Sequence, residues 1–317
     1  MKAIALTAYG QDPAVLKAVE LPTPQIGPNE VLVEVHAAGF NPFDCKIRKG
    51  YLQRFYPLQL PHVIGNDFAG IVADAGPGVF HVRVGDRVYG LQSILRPGVY
   101  AEYTAIEASL VRRMPSNLSF VEAASLPMVY QTAWMGLAGF AQVRTGQLVL
   151  VHAATGGVGS AAVQLARAMG GRVAATSRSD GVDFVRALGA DITIDYEAQD
   201  FTALLRNVDV VFDPIGGQVN LDSYRVVRRG GVILVVLRED KLEMENRSRL
   251  EREYGVATSV IAFENLPEVL DFLRPLFENG TLKPVVSRVL PLAQAMEAHR
   301  LSDAGHARGK TVLRVRE

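Results

Sequence analysis

The spacing of apolar positions changes character along this chain, and the clearest pattern lies at residues 148–176. An unbroken apolar run, Leu148-Val149-Leu150-Val151, predicts a strand buried on both faces. A glycine-rich turn follows, Ala154-Thr155-Gly156-Gly157-Val158-Gly159. Beyond it Val158, Ala161, Ala162, Leu165, Ala166 and Met169 recur at helical spacing and mark one face of a helix. Residues 172–176 predict a second strand. Strand, turn, helix and strand make a β-α-β unit of roughly thirty residues.

Before this unit the pattern is different. Short β-type runs at residues 2–7, 31–38, 71–75, 87–90 and 100–106 alternate with Gly, Pro, Asn and Asp. Residues 21–28 carry too many prolines for a helix. Residues 79–88 suggest two short β elements about a Val84-Gly85-Asp86 turn. Residues 1–122 therefore read as a mostly β, barrel-like domain. At Ser119-Phe120-Val121-Glu122 a capping box starts a helix, with apolar residues continuing towards Trp134 and Leu137.

From there to about residue 263, β and α patterns alternate. Strands are expected at 192–195, 208–213 and 232–237. Residues 123–264 thus read as a doubly wound parallel sheet, and the chain as an α/β protein carrying an additional β domain. Ligands of such sheets bind beyond the carboxyl ends of the strands. The tips at 176–178, 195–196, 213–216 (with Ile215) and 236–238 are therefore candidate contacts, or ordinary loops. The charge run at 241–253 reads as a solvated loop or exposed helix. Helices are expected at 265–279, ended by Asn279-Gly280, and at 291–301, with a last strand at 310–315.

Composition narrows the function classes. Among 317 residues, 49% are apolar, enough for two ordinary domains. Formal net charge is zero, so no global field favours nucleic acid or an anionic membrane. Cys45 is the single cysteine and forms no disulfide within the chain. The first ten residues lack a signal-peptide layout and no apolar run reaches spanning length, so a cytoplasmic protein is expected.

The glycine turn carries the first chemistry. Its pattern is A-x-G-x-x-G, from Ala154 through Gly156 to Gly159. Without a Cβ at Gly156, a pyrophosphate can approach the main chain, and the free N–H groups of the helix face the anion. At the end of the second strand stand Thr176-Ser177-Arg178-Ser179, with no carboxylate to bind a ribose 2′-hydroxyl. Ser177 and Arg178 suit a 2′-phosphate, and NADP(H) is expected over NAD(H). Arg178 also reads as a solvated arginine, and Asp180 just beyond would blunt the preference.

The order of landmarks resembles the medium-chain dehydrogenase/reductases, in their zinc-independent quinone-oxidoreductase branch. The matching stretches are residues 39–44 (GFNPFD), 60–70 (LPHVIGNDFAG), 84–90 (VGDRVYG), 100–103 (YAEY), 153–159, 209–217 and 309–313 (GKTVL). The resemblance implies a GroES-like catalytic domain, a central Rossmann domain, and a segment at 265–317 returning to the catalytic domain, with the active site in the cleft between domains. It also implies a homodimer joined through edge strands, for which the runs at 232–237 and 256–263 are apolar enough.

Zinc is not expected. Asn41 falls near the family's first ligand position, Asn66 stands where a histidine would, and the four-cysteine lobe is missing. His36, His62, His81, His152, His299 and His306 show no paired ligand spacing. Without a Lewis acid, the feasible reaction is hydride transfer to an electrophilic acceptor, a quinone or an α,β-unsaturated carbonyl. The resemblance places Asn41 near the nicotinamide, where its amide would donate to the carbonyl oxygen; the bland reading is a turn before Pro42. Tyr51 is a second candidate, one residue out of the family's tyrosine position, for proton donation or packing. Asp44 reads as a turn cap in preference to a residue that orients Asn41, and Cys45 as a buried residue in preference to a nucleophile.

For the cofactor, the resemblance points to Thr132 on the nicotinamide-side phosphate and Gly157 and Val158 at the pyrophosphate. It places Ser177 and Arg178 at the 2′-phosphate, Tyr196 beside the adenine and Gly309-Lys310 at the cleft border. Two other readings stay open: a protein that binds NADPH without efficient turnover, and an enoyl-thioester reductase with Arg48, Lys49 and Arg54 as a basic entry. Nucleic acid and membrane partners are not expected.

Overall fold

The computed structural model describes residues 1–236, 241–305 and 308–316. Leu237, Arg238 and His306, named above, lie outside the described residues. The chain divides into two compact units, Met1–Met128 with Asn265–Glu317, and Val129–Glu264.

The second unit holds a parallel sheet of six strands. Across the sheet they run Ile192–Asp195, Arg172–Ser177, Leu148–Val151, Val208–Asp213, Val227–Val236 and Ala257–Ile261. The first strand in sequence therefore sits in the middle, and later strands are added outward on either side. Val149, Leu150 and Val151 are fully buried, as a central strand covered on both faces requires. The helix Gly157–Ala168 is buried from Gly159 to Ala166 and not only along one stripe, while Val158 is half-buried. Tyr130 covers part of the expected outer face, its hydroxyl accepting a hydrogen bond from Gln164 Nε2 at 3.1 Å. Of the two runs read as edge candidates, only Ala257–Ile261 is an edge. Val227–Val236 is paired on both sides, by Val208–Asp213 and Ala257–Ile261. The charge run forms the helix Lys241–Tyr254, with Leu250 buried against the sheet side.

In the first unit, the strand Glu30–Gly39 alternates buried and half-buried positions, the period-two signature of a sheet with one covered face. It lies at the centre of a seven-stranded sheet. Asp67–Ala75 pairs with it antiparallel on one side, and Lys310–Arg314 on the other. A smaller sheet joins Leu16–Glu20, Lys2–Leu6 and His62–Val63.

Four elements depart from the sequence reading. Residues 79–82 form no strand, because Asp86 N bonds Arg83 O at 3.0 Å and Arg83 N bonds Asp86 Oδ2 at 3.0 Å, closing a turn in place of a ladder. The strand expected from residue 100 starts at Tyr103, since Tyr100 is drawn into the core. The helix begun by the Ser119 capping box stops after Ala123 and resumes at Pro127, whose missing N–H suits a first helical turn. It continues as a wider-wound turn at Met135–Phe140. The helix expected from residue 291 begins at Ala295, after the strand Val286–Pro291 and a tight turn. Among the described residues no helix is long and apolar enough to cross a membrane.

Candidate functional site

The glycine turn leaves the sheet where strand order reverses, beside Val208–Asp213, the place at which doubly wound sheets take ligands. Gly156 N bonds Ala153 O at 2.9 Å and Ala154 N bonds Thr176 O at 3.1 Å, so the turn is folded on itself and tied to the next strand. A Cβ at Gly156 would meet only the Ala153 carbonyl, at 3.3 Å, and the space beyond is open. At Gly159 a Cβ would lie 2.2 Å from that same oxygen, so the helix can start this close to the turn only with glycine there. The first intrahelical bond is Ser160 N to Gly156 O, 2.9 Å. The N–H groups of Gly157, Val158 and Gly159 therefore precede the helical ladder and suit an anion. Thr155 is packed against Gly181, where a Cβ would come within 2.5 Å of its methyl group.

Around the neighbouring strand tips the structure gathers Ser177, Arg178 and Tyr196. Tyr196 N bonds Ser177 O at 3.1 Å, and its ring is 48% exposed. Ser177 Oγ donates to the Arg178 carbonyl at 3.0 Å. Arg178 pairs with Glu197 at 3.1 Å, a carboxylate the sequence reading left out. Ile215 stands on the loop after Val208–Asp213, half-buried, its N–H bonded to Asp213 Oδ1 at 2.8 Å. Asp213 itself, a candidate contact by position, is fully buried and spent on its own loop and on Asn220. Thr132 is buried in the helix Pro127–Trp134. A glycine turn open at Gly156, with the half-exposed Arg178 guanidinium at the next strand tip, fits NADP(H); the Ser177 hydroxyl is buried.

In the sequence His152 is one histidine among six, with no sign of a role. It is buried between Thr176 Oγ1 and Ser223 Oγ, each 3.1 Å from a ring nitrogen. Burial pulls its pKa down to about 4, against the opposing pull of Asp213. A neutral imidazole thus ties the second strand's tip to the helix Gln218–Ser223.

In the first unit, strand register assembles a second cluster. Gly39 pairs with Asp67, and Val312 with Gly39. The same antiparallel register, continued two residues, puts Lys310 across from Asn41. Lys310 Nζ donates to Phe40 O at 2.7 Å, to Asp67 Oδ2 at 3.0 Å, and to Asn41 Oδ1. Asn41 Nδ2 donates to Asp67 Oδ2 at 2.9 Å, and Met128 N to Asp67 Oδ1 at 2.8 Å. Ammonium has no acceptor and carboxylate no donor, so the Asn41 amide fits one way round. Its second Nδ2 hydrogen has no partner among the described residues. Asn41 is 3% exposed, Asp67 and Lys310 equally enclosed.

Asp44 caps the helix Pro42–Arg48 as expected, its Oδ2 accepting from Asn41 N at 2.9 Å, and it also accepts from Tyr100 OH at 2.8 Å. Burial raises its pKa to about 7, in spite of both hydrogen bonds and nearby Lys310. Tyr51 is not drawn into this network. It is 62% exposed, with its hydroxyl 3.4 Å from Gln11 Oε1. Cys45 is buried beside His299, and burial pushes its thiol up to about 11, as suits a packing residue. Of the three residues read as a basic entry, Arg48 is fully buried, Arg48 and Lys49 are both paired with Asp303 at 2.6 Å, and Arg54 is exposed.

The family described as "Alcohol dehydrogenase GroES-like domain" matches residues 27–116, and that described as "Zinc-binding dehydrogenase" matches residues 188–313. Zinc, which the second description implies, does not fit the residues present. No three His, Cys, Asp or Glu side chains converge among the described residues, and the Asn41 oxygen already holds an ammonium. A tomato (Solanum lycopersicum) protein named "2-methylene-furan-3-one reductase" is 35% identical over 99% of this chain and 79% of its own length. A mouse (Mus musculus) "Quinone oxidoreductase" is 32% identical over 98% of this chain and 96% of its own. The solved quinone oxidoreductase of Coxiella burnetii superposes with a TM-score of 0.90 at 35% identity, covering 100% of this chain and 99% of that one. The Escherichia coli quinone oxidoreductase, solved with NADPH, gives 0.88 at 27% identity, over 99% and 100% of the two chains. Relatives about a third identical from end to end, together with the matches to both domains, make this chain a member of the medium-chain dehydrogenase/reductase superfamily, in its zinc-independent quinone-oxidoreductase branch.

Proposed function

We propose that this chain is an NADPH-dependent reductase of quinones or of the C=C bond of α,β-unsaturated carbonyls. The observation that carries the reading is the Asn41 amide, held with its nitrogen available as a hydrogen-bond donor where zinc-dependent relatives use a metal ligand. A donor of this kind stabilises a developing oxyanion by about 3 kcal/mol. It does not activate an alcohol, so the acceptor must already be electrophilic. NADPH, when bound, supplies the hydride that reaches the β-carbon or quinone ring. The displaced electron pair moves to the carbonyl oxygen, where Asn41 Nδ2–H donates, and a solvent proton completes the reduced product.

Binding falls to the second unit. The N–H groups of Gly157 and Val158 hold the diphosphate, with Ala154, Thr155 and Gly156 shaping the turn. Ser177 and Arg178 hold the 2′-phosphate, Tyr196 flanks the adenine, and Thr132 and Ile215 border the nicotinamide half. Tyr51, exposed in this conformation, remains a substrate-side candidate. The names of the relatives support the substrate class, since an "NADPH-dependent alkenal/one oxidoreductase" of Arabidopsis thaliana is 33% identical over 99% of this chain. A homodimer through the edge strand Ala257–Ile261, in the cytoplasm, completes the proposal.

The test is loss of NADPH absorbance with benzoquinone, naphthoquinone, a short enone and crotonyl-coenzyme A, with NADH in parallel. Turnover of a quinone or the enone, with NADPH preferred, is the expected result. Tight NADPH binding without turnover of any acceptor would overturn it, and turnover confined to crotonyl-coenzyme A would move the substrate to a thioester.

A further inference from the structure

The Asn41 amide could face either way if nothing held it, because its oxygen and nitrogen have almost the same shape. Turned one way it donates to an oxyanion; turned the other it repels one. The choice is made by two residues the sequence reading did not assign to it. Lys310 Nζ occupies the Oδ1 side, and Asp67 Oδ2 accepts from Nδ2 at 2.9 Å and from Lys310 at 3.0 Å. All three ammonium hydrogens are used, on Phe40 O, Asn41 Oδ1 and Asp67 Oδ2. Lys310 therefore has no proton left to give a substrate directly.

The placement is built into the backbone. Gly309 adopts φ 51°, and a Cβ there would lie 2.6 Å from Val285 O, so the chain enters its last strand through a turn only glycine fits. Lys310 N then bonds Val285 O at 2.8 Å, and Phe40 N bonds Thr311 O at 3.0 Å, locking the register that sets Lys310 opposite Asn41. A buried ion pair is a poor source of stability, since desolvation offsets most of its attraction. Its use here is orientation.

We infer that Lys310, held by Asp67, is a positioning residue that fixes the Asn41 amide with its nitrogen towards the reacting carbonyl oxygen. This rests on the reading of Asn41 as the oxyanion donor. The ammonium on Oδ1 also polarises the amide, strengthening the N–H it presents.

The experiment is a double-mutant cycle on kcat, measured with the best acceptor of the panel. Asn41→Ala alone should lower kcat about 100-fold. Lys310→Met should lower it about 10- to 100-fold, with NADPH affinity within twofold of wild type. Because Lys310→Met strands the Asp67 charge, the cycle is repeated with Asp67→Asn/Lys310→Met, which removes both charges at nearly constant volume. In the Asn41→Ala background neither change should cost more than a further twofold. Costs that multiply would show Lys310 acting other than through Asn41 and would overturn the proposal alone. Wild-type kcat in the folded paired variant would overturn it as well. Wild-type kcat in Asn41→Ala would overturn the proposal and the reading of Asn41 together.

Discussion

The Arg178 guanidinium lies 3.1 Å from the Glu197 carboxylate, across two adjacent strand tips, both side chains half exposed to water. A 2′-phosphate arriving there competes with Glu197 for the same donors. Arg178→Ala should weaken NADPH binding about 10- to 100-fold and leave NADH nearly unchanged, as loss of a charge-assisted hydrogen bond implies. Glu197→Gln should tighten NADPH about two- to fivefold, the range of an exposed ion pair. Fluorescence titration of the two coenzymes measures both.

Gly156 and Gly159 should separate binding from folding. Gly156 has φ −74° and ψ 173°, open to any residue, so Gly156→Ala should leave the melting temperature almost unchanged while filling the diphosphate cradle and cutting NADPH affinity at least about tenfold. Gly159→Ala drives a methyl group into the Ala153 carbonyl and should cost about 1–3 kcal/mol of stability. Thermal melts with and without NADPH distinguish the two.

Asp44 should make the protein less stable as pH rises. Its folded pKa is raised from 3.8 to about 7, so the folded state holds the proton more tightly than the unfolded one. That stabilisation is complete below about pH 4 and is lost progressively up to about pH 7. Asp44→Asn cannot ionise. The melting temperature of wild type minus that of Asp44→Asn should fall across this window and level off above it.

His152 gives the opposite sign. Its folded pKa is lowered from 6.5 to about 4, so its contribution is present above pH 6.5 and is lost as pH falls towards 4. His299, lowered by burial to about 3, behaves alike. His152→Ala should lose about 1–3 kcal/mol at pH 7 by leaving the buried Thr176 hydroxyl without its imidazole partner and Ser223 with only its bond to Val219 O, and should show a shallower acid limb than wild type. Melting curves from pH 4 to 8 report both effects.

The edge strand Ala257–Ile261 gives a test of association. Ala257→Lys with Ser259→Lys puts charge along it without touching the buried Ile261. Light scattering should then return the mass of one chain, where wild type returns two. A wild-type mass of one chain would remove the homodimer.

The Rossmann unit was legible because its signals are local. Leu148–Val151, the glycine turn and the helix behind it announce themselves within two dozen residues, and every partner of the turn is close in sequence. The Asn41 cluster was not, because its members are 26 and 269 residues apart and meet only through antiparallel register. Nothing in the runs at 30–39, 67–75 and 310–314 states which residue pairs with which. His152 was hidden for another reason: one polar residue after an apolar strand reads alike whether it faces water or two hydroxyls. The edge was likewise mute, since the runs at 232–236 and 257–261 are both apolar and only the strand order separates interior from rim. Glu197 shows the limit at the cofactor site, where an arginine was visible and its competitor, in the turn after the strand Ile192–Asp195, was not.

The strand Lys310–Arg314 lies between Val286–Pro291 and Glu30–Gly39. For a chain made from its N-terminus on a ribosome, this inverts the order of completion. The second unit is contiguous and has all six of its strands once residue 264 has emerged. The first unit, begun earlier, has Glu30–Glu34 paired with Tyr103–Glu107 but keeps Ala37–Gly39 uncovered on that flank until residues 310–314 arrive. The part synthesised first is finished last, and a ribosome stalled in the last helix would release a closed Rossmann unit beside an unzipped barrel.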